Sequence, residues 1–158
     1  MDELLAKSKQ QDEVNKYFIF SVNGIDFSTE IDRVTEIITK PLISPVPNAK
    51  NFCKGIINLR GTIIPVIDMR EKLQFSSTEY DERTCVIVMT IQEQLIGVIV
   101  DEVREVTDIA PEKLFDSPAS SMRSGMGKNY TSKIANLEGG RVIQILDIEK
   151  VFDVKVQE

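Results

Sequence analysis

From Lys16 onward the chain is a series of short apolar runs separated by polar punctuation. "YFIFSV", Tyr17 to Val22, reads as a strand. Asn23-Gly24 after it is the strongest short hairpin signal, and Phe27 to Ile31 reads as the partner strand. "GIINLRGTIIPVIDMR", Gly55 to Arg70, reads as a second hairpin turning at Arg60-Gly61 and running into a helical turn. "CVIVMTI" and "LIGVIV" flank a "QEQ" turn and give a third. "KPLISPVP" carries Pro41, Pro45 and Pro47, which predicts a stiff loop with at most edge-strand character. Residues 1–15 are polar and predict a flexible tail, and the small, Gly-rich stretch Ser117 to Asn129 predicts a mobile loop.

The pattern occurs twice. Displaced so that Ser21 falls on Thr90, "YFIFSVNGIDFSTEIDRVTEII" lies on "VIVMTIQEQLIGVIVDEVREVT" without a gap; Asp32 meets Asp101, Val34 meets Val103 and Glu36 meets Glu105. "IINLRG" (Ile56 to Gly61) lies on "IANLEG" (Ile134 to Gly139). After one inserted residue "IIPVIDMREKL" lies on "VIQILDIEKVF", with Asp68 on Asp147. Each half reads as the same unit: two strands, a short turn carrying Val-x-Glu, a hairpin and one helical turn. Many short strands at regular spacing favour barrels.

Composition narrows the functional classes. The chain has 158 residues, 42% of them apolar, which suffices for a packed core in one domain or two very small ones. A net charge of -6 without a Lys/Arg cluster argues against nucleic acid as a partner. The apolar runs are too short to cross a bilayer, and the N-terminus lacks a signal-peptide core, so a cytoplasmic protein is expected. Cys53 and Cys85 form no Cys-x-x-Cys pair and read as buried, reduced thiols. Histidine is absent, which removes Ser-His and Cys-His catalysis and the commonest metal ligand. "GMGK" fails as a phosphate loop: its first glycine would fall on Met122, and its closing Ser/Thr is Asn129. No metal and no cofactor is expected.

The repeat acts as a control on the charged residues. Asn58, Leu59 and Gly61 recur as Asn136, Leu137 and Gly139, so the hairpin needs them. Arg60 falls on Glu138, so the hairpin does not require an arginine. That leaves an incidental surface charge or a contact with a partner. Asp68 and Asp147 each stand where an apolar run meets a helical turn, and Asp68 with Glu71 fits a capping box. Glu36 and Glu105 have no nucleophile or metal-ligand set beside them, which favours a solvated or salt-bridged role over catalysis.

"NLRGTIIPVID" within the second hairpin resembles the signature of the CheW family, the coupling proteins of bacterial chemotaxis. The resemblance extends through "FIFSVNGIDFSTEIDRVTEII", "ISPVPNAKNFCKG", "CVIVMTIQEQLIGVIVDEVREV" and "RVIQILDIEKVF". It implies a mainly β fold of two intertwined five-stranded SH3-like barrels, roughly 16–80 and 84–152, in one domain over 16–158. It also implies a non-enzymatic scaffold, monomeric when free. Such a scaffold binds the cytoplasmic tip of transmembrane chemoreceptors and the regulatory domain of the histidine kinase CheA, and is recruited to receptor arrays. By position, the resemblance assigns Asn58, Arg60, Gly97, Val103 and Val106 to the receptor, and Phe18, Ile31, Val34 and Glu36 to the kinase. A helical receptor tip in an apolar groove is a common recognition mode; the alternative for the apolar members is that they are core. Ser28 stands where the family often has glycine, as the second half does at Gly97, so that strand is expected to pack slightly differently. The competing functional reading is a small-barrel adaptor that binds a metabolite or peptide outside chemotaxis.

Overall fold

The computed structural model describes residues 16–39, 41–48, 53–76, 79–117 and 130–152; the expected N-terminal tail and nearly all of the Gly-rich loop lie outside these residues. Among these residues eleven strands form: β1 (Lys16–Val22), β2 (Ile25–Glu30), β3 (Val34–Ile38), β4 (Cys53–Leu59), β5 (Thr62–Asp68), β6 (Cys85–Ile91), β7 (Gln94–Val100), β8 (Glu102–Asp108), β9 (Leu114–Asp116), β10 (Thr131–Asn136) and β11 (Val142–Leu146). Helical turns at Met69–Lys72 and Ile148–Phe152 follow β5 and β11. The fold is mainly β, as expected.

The two sheets interleave the halves. One runs β8-β1-β2-β11-β10-β9, the other β3-β6-β7-β5-β4. Under the repeat β1 corresponds to β6, β2 to β7, β3 to β8, β4 to β10 and β5 to β11, so the two orders are the same apart from β9. Each sheet takes its first hairpin from one half and its other strands from the other half. Registers repeat as well: Val66 pairs with Gly97 in the parallel contact of β5 and β7, and Ile145 with Ser28 in that of β11 and β2. A division of the chain at 80–84 therefore separates the repeats, while both sheets cross it.

The interleaving explains why the strands are apolar on both faces. Alternate residues of a strand point to opposite faces. On β6, Ile87, Met89 and Ile91 join a large core shared by both sheets, while Val86 and Val88 turn into a smaller core with Ile57, Ile64, Val66 and Ile99. On β1, Phe18, Phe20 and Val22 enter the shared core, while Ile19 turns toward Ile109, Ala135, Ile143 and Ile145. Among the described residues there are thus three packed regions, one within each curled sheet and one between them.

Several local expectations change. The Val-x-Glu segments lie on strands, not turns. β3 pairs Val34 with Met89 and Glu36 with Val88, leaving Thr35 as an extra residue. β8 pairs Val103 with Phe20 and Glu105 with Ile19, leaving Arg104. A β-bulge at the same place in both repeats breaks the period of two that would have marked these strands. The proline-rich lead-in makes a single bridge, Ser44 to Ile56, whereas its counterpart forms the three-residue β9 and gives the first sheet a sixth strand. Prolines at 41, 45 and 47 cannot donate to a ladder. Asp68 caps its helical turn by accepting the Arg70 N–H at 2.9 Å, and Asp147 accepts that of Lys150 at 3.2 Å. Glu71, read as the second half of a capping box, is instead taken by the Lys54 ammonium.

Candidate interaction site

The β4–β5 connection is a two-residue turn, Arg60-Gly61, between the paired residues Leu59 and Thr62. Both turn residues are left-handed, with φ of 50° and 91°. Such turns match the twist of a hairpin, but they are unfavourable for a residue with a Cβ. Asn58 stabilises the turn by accepting the Gly61 N–H on its side-chain oxygen at 2.8 Å. The geometry accounts for Asn58 and Gly61, as the repeat implied. It places Arg60 in a conformation that arginine seldom adopts.

The Arg60 guanidinium forks onto the Glu36 carboxylate on β3, Nη1 to Oε2 at 3.2 Å and Nη2 to Oε1 at 2.6 Å. β3 and β4 are opposite edges of one sheet, so this pair ties the curled sheet across its opening. The hydrogen bond from Arg60 holds the Glu36 carboxyl below the usual carboxylate range, against a smaller opposing effect of burial. The Arg60 side chain is nonetheless 72% exposed, while that of Glu36 is 21% exposed. The candidate receptor residue and the candidate kinase residue are therefore hydrogen-bonded to each other.

The second half carries the same tie from a different position. Glu138, aligned with Arg60, sits in a short 3-10 turn, and the left-handed positions there belong to Gly139 and Gly140. The connection runs from 137 to 141, and its last residue, Arg141, donates from Nη1 to Glu105 Oε1 at 3.1 Å. Glu105 is the repeat partner of Glu36. An arginine in this role does recur, at the far end of a connection one residue longer, where alignment by letters conceals it. Arg141 is far less exposed than Arg60, at 34%, because it also donates to Asp26 at 3.3 Å.

The remaining candidate residues divide by burial. Phe18, Ile31, Val34 and Val103 all lie in the shared core, with Val106 half-buried against it across the ladder from Phe18. Gly97 is enclosed in β7, where an added Cβ would stand 3.0 Å from Val86 Cγ1 and 3.4 Å from Val66 Cγ2. Packing alone accounts for the character of these residues. Among the exposed apolar residues that the sequence reading did not single out, Ile63 faces Asn58 across the hairpin, and Val142 faces Asn136 in the same way. The signal of Ile63 was a β-branched side chain out of phase with the buried Ile64 and Val66.

Two cavities open at the curled sheets. One, of about 330 Å³, is lined by Pro41, Ile43, Val86 and Ile99 with Tyr80 at its rim. The other, of about 260 Å³, lies by Tyr17, Leu114 and Ile145. Tyr80 donates to the buried Asp68 at 2.6 Å; burial, with this bond, pushes its phenol well above the ordinary range. Among the described residues no group of three acidic or cysteine side chains is placed to hold a metal ion, and no helix is long and apolar enough to cross a membrane.

The CheW-like domain model matches residues 16–156. The chain belongs to the CheW family. Among its relatives, the chemotaxis protein CheW of Klebsiella aerogenes is 32% identical over 137 residues, which cover 87% of this chain and 81% of the relative. That of Thermotoga maritima is 31% identical over 134 residues, covering 85% of each. The crystal structure of the scaffolding protein TtCheW from Thermoanaerobacter tengcongensis superposes with a TM-score of 0.81 at 28% identity, covering 91% of this chain and 96% of that one. The family consists of non-catalytic chemotaxis scaffolds, and the chain is one of them.

Proposed function

We propose that the chain links the cytoplasmic tips of transmembrane chemoreceptors to the regulatory domain of the histidine kinase CheA. It does so in the cytoplasm, as a monomer recruited to receptor arrays. The observation that carries this reading is the Arg60–Glu36 pair. The turn is satisfied by Asn58 and Gly61, so an arginine held at φ 50° and 72% exposed is not there for the turn. Its guanidinium, already engaged by Glu36, still lies largely at the surface beside the exposed Ile63, where its positive charge can meet an acidic group of a partner. A helix bearing an acidic residue next to an apolar one fits that face, while the receptor roles of the half-buried Val106 and the core residue Val103 rest on the family resemblance. Of the four kinase candidates only Glu36 reaches solvent; Phe18, Ile31 and Val34 are buried in the shared core beneath the surface.

The test is a pair of affinity measurements on the full chain, one against a receptor signalling-tip fragment and one against the CheA regulatory domain. Saturable binding to both is expected. Binding to neither would return the chain to the alternative of an adaptor working outside chemotaxis.

A further inference from the structure

β3 and β8 occupy equivalent places as outermost strands of their sheets, each hydrogen-bonded to a single neighbour. A strand held on one side only depends on side chains to fix its free edge. On β8 the bulge residue and its successor are both tethered. Arg104 Nε donates to Asp26 Oδ1 at 3.3 Å, and Arg104 Nη1 meets Glu102 Oε1 at 3.3 Å. Asp26 Oδ2 accepts from Arg141 Nε at 3.3 Å, and Arg141 Nη1 closes onto Glu105 Oε1 at 3.1 Å. The result is a ring of alternating charge, Arg104, Asp26, Arg141, Glu105, that begins and ends on adjacent residues of β8. Lys16 and Asp108, 2.9 Å apart, fasten the far end of the strand. On β3 the same two positions are held by Thr90, whose hydroxyl lies 3.2 Å from that of Thr35, and by Arg60.

We infer that Arg141 is a positioning residue for receptor docking. It acts through Glu105, which it ties in place on the bulged edge strand that carries Val103 and the half-buried Val106. This role rests on the proposed receptor function. It explains why an arginine follows the two left-handed glycines in a connection longer than its counterpart, and why that arginine is shared between two carboxylates. The two halves thus divide the labour: one arginine faces outward, the other sets the strand.

The test uses full-length Arg141→Ala, Arg141→Lys, Glu105→Gln and the double variant Arg141→Ala/Glu105→Gln. Three quantities are read: backbone amide exchange along β8, affinity for the receptor-tip fragment, and affinity for the CheA regulatory domain. Arg141→Ala should speed exchange in β8 and not in β3, and lower receptor affinity by about three- to tenfold, or about 0.7–1.4 kcal/mol of binding. Kinase affinity should stay within about twofold of wild type by the same relation. Arg141→Lys should recover part of the loss, and the double variant should be no worse than Arg141→Ala alone, since the tie that Glu105→Gln removes is already lost there. Equal loss of both affinities would mean general destabilisation and would overturn the role, as would unchanged receptor affinity with β8 loosened. Should Arg141→Ala fail to fold, Glu105→Gln answers the same question with Arg141 still held by Asp26. A wild-type chain that does not bind the receptor fragment removes the function and the role together. A wild type that binds, alongside an Arg141→Ala chain that binds equally well, removes the role alone.

Discussion

Arg60→Gly separates a partner contact from a barrel tie, because the two roles move different observables. In the folded state the substitution removes a Cβ from a residue at φ 50°, which relieves about 1–2 kcal/mol of left-handed strain. It adds backbone freedom to the unfolded chain, which costs about 0.5–1 kcal/mol. It also deletes the fork to Glu36, which is exposed on the arginine side and is worth about 0.5–1 kcal/mol. These contributions nearly cancel. For a chain of this length each kcal/mol corresponds to about 2–4 °C of Tm, so the melting temperature should stay within about 4 °C of wild type. Docking loses more. A fully desolvated charge pair truncated on one side typically costs about 2–5 kcal/mol, so affinity for a receptor-tip fragment should fall by about thirtyfold or more. Melting by circular dichroism and titration of the labelled fragment give both numbers on one preparation. A folded Arg60→Gly chain with undiminished affinity would make the arginine an ordinary surface ion pair. A Tm lowered by about 10 °C or more would show that the tie holds the sheet together and that the energies above are wrong.

The same pair sets a pH dependence. Because folding lowers the Glu36 pKa, its contribution is present above the ordinary value of 4.5 and fades as pH falls through the depressed folded value. The stability difference between wild type and Arg60→Gly should therefore change below about pH 4.5 and be constant from there to neutrality, as urea melts across that range would report. Val34→Glu places a charge in the shared core and should cost about 4 kcal/mol or more, seen as loss of the cooperative unfolding transition; a folded variant would mean that the site opens to solvent. The Ser28 hydroxyl is buried without a hydrogen-bond partner, so Ser28→Ala should raise stability by about 1 kcal/mol in urea titration, and a loss of that size would imply an unseen partner. Gln92 and Glu93 occupy the left-handed positions that Asn23 and Gly24 take in the first repeat, with φ of 50° and 67°. The combined replacement Gln92→Asn/Glu93→Gly should therefore stabilise by about 1–2 kcal/mol, checked by thermal melting.

What could be read from the sequence was whatever the chain decides locally. Asn23-Gly24 sets its own turn, Asp68 and Asp147 cap the helical turns beside them, and prolines keep the lead-in from becoming a full strand. The pairing of β3 with β6 rather than with β1 is not local. The two repeats offer equivalent edges to either partner, and residue order does not distinguish them; the family resemblance supplied the interleaving. The bulges at Thr35 and Arg104 disguised two strands as turns. Arg141 was missed because its role follows from where a longer connection ends and not from the column it occupies. Arg60 was recognised through the family motif, and its partner Glu36 became visible only when the sheet closed across its opening.

The interleaving also governs how the chain can come to be folded. A nascent chain released only as far as Tyr80 holds β1 and β2 without the strands that flank them, and β3, β4 and β5 without the central hairpin of their own sheet. The sheet β3-β6-β7-β5-β4 cannot be completed until β7, ending at Val100, has emerged, and the other sheet cannot be completed until β11, ending at Leu146, has followed. Every early strand thus waits with open edges for a partner made later, which makes assembly slow and favours a chaperone during synthesis. It also means that two fragments cut between β5 and β6 would each stay unfolded alone and would fold when mixed, since each supplies the hairpin the other lacks.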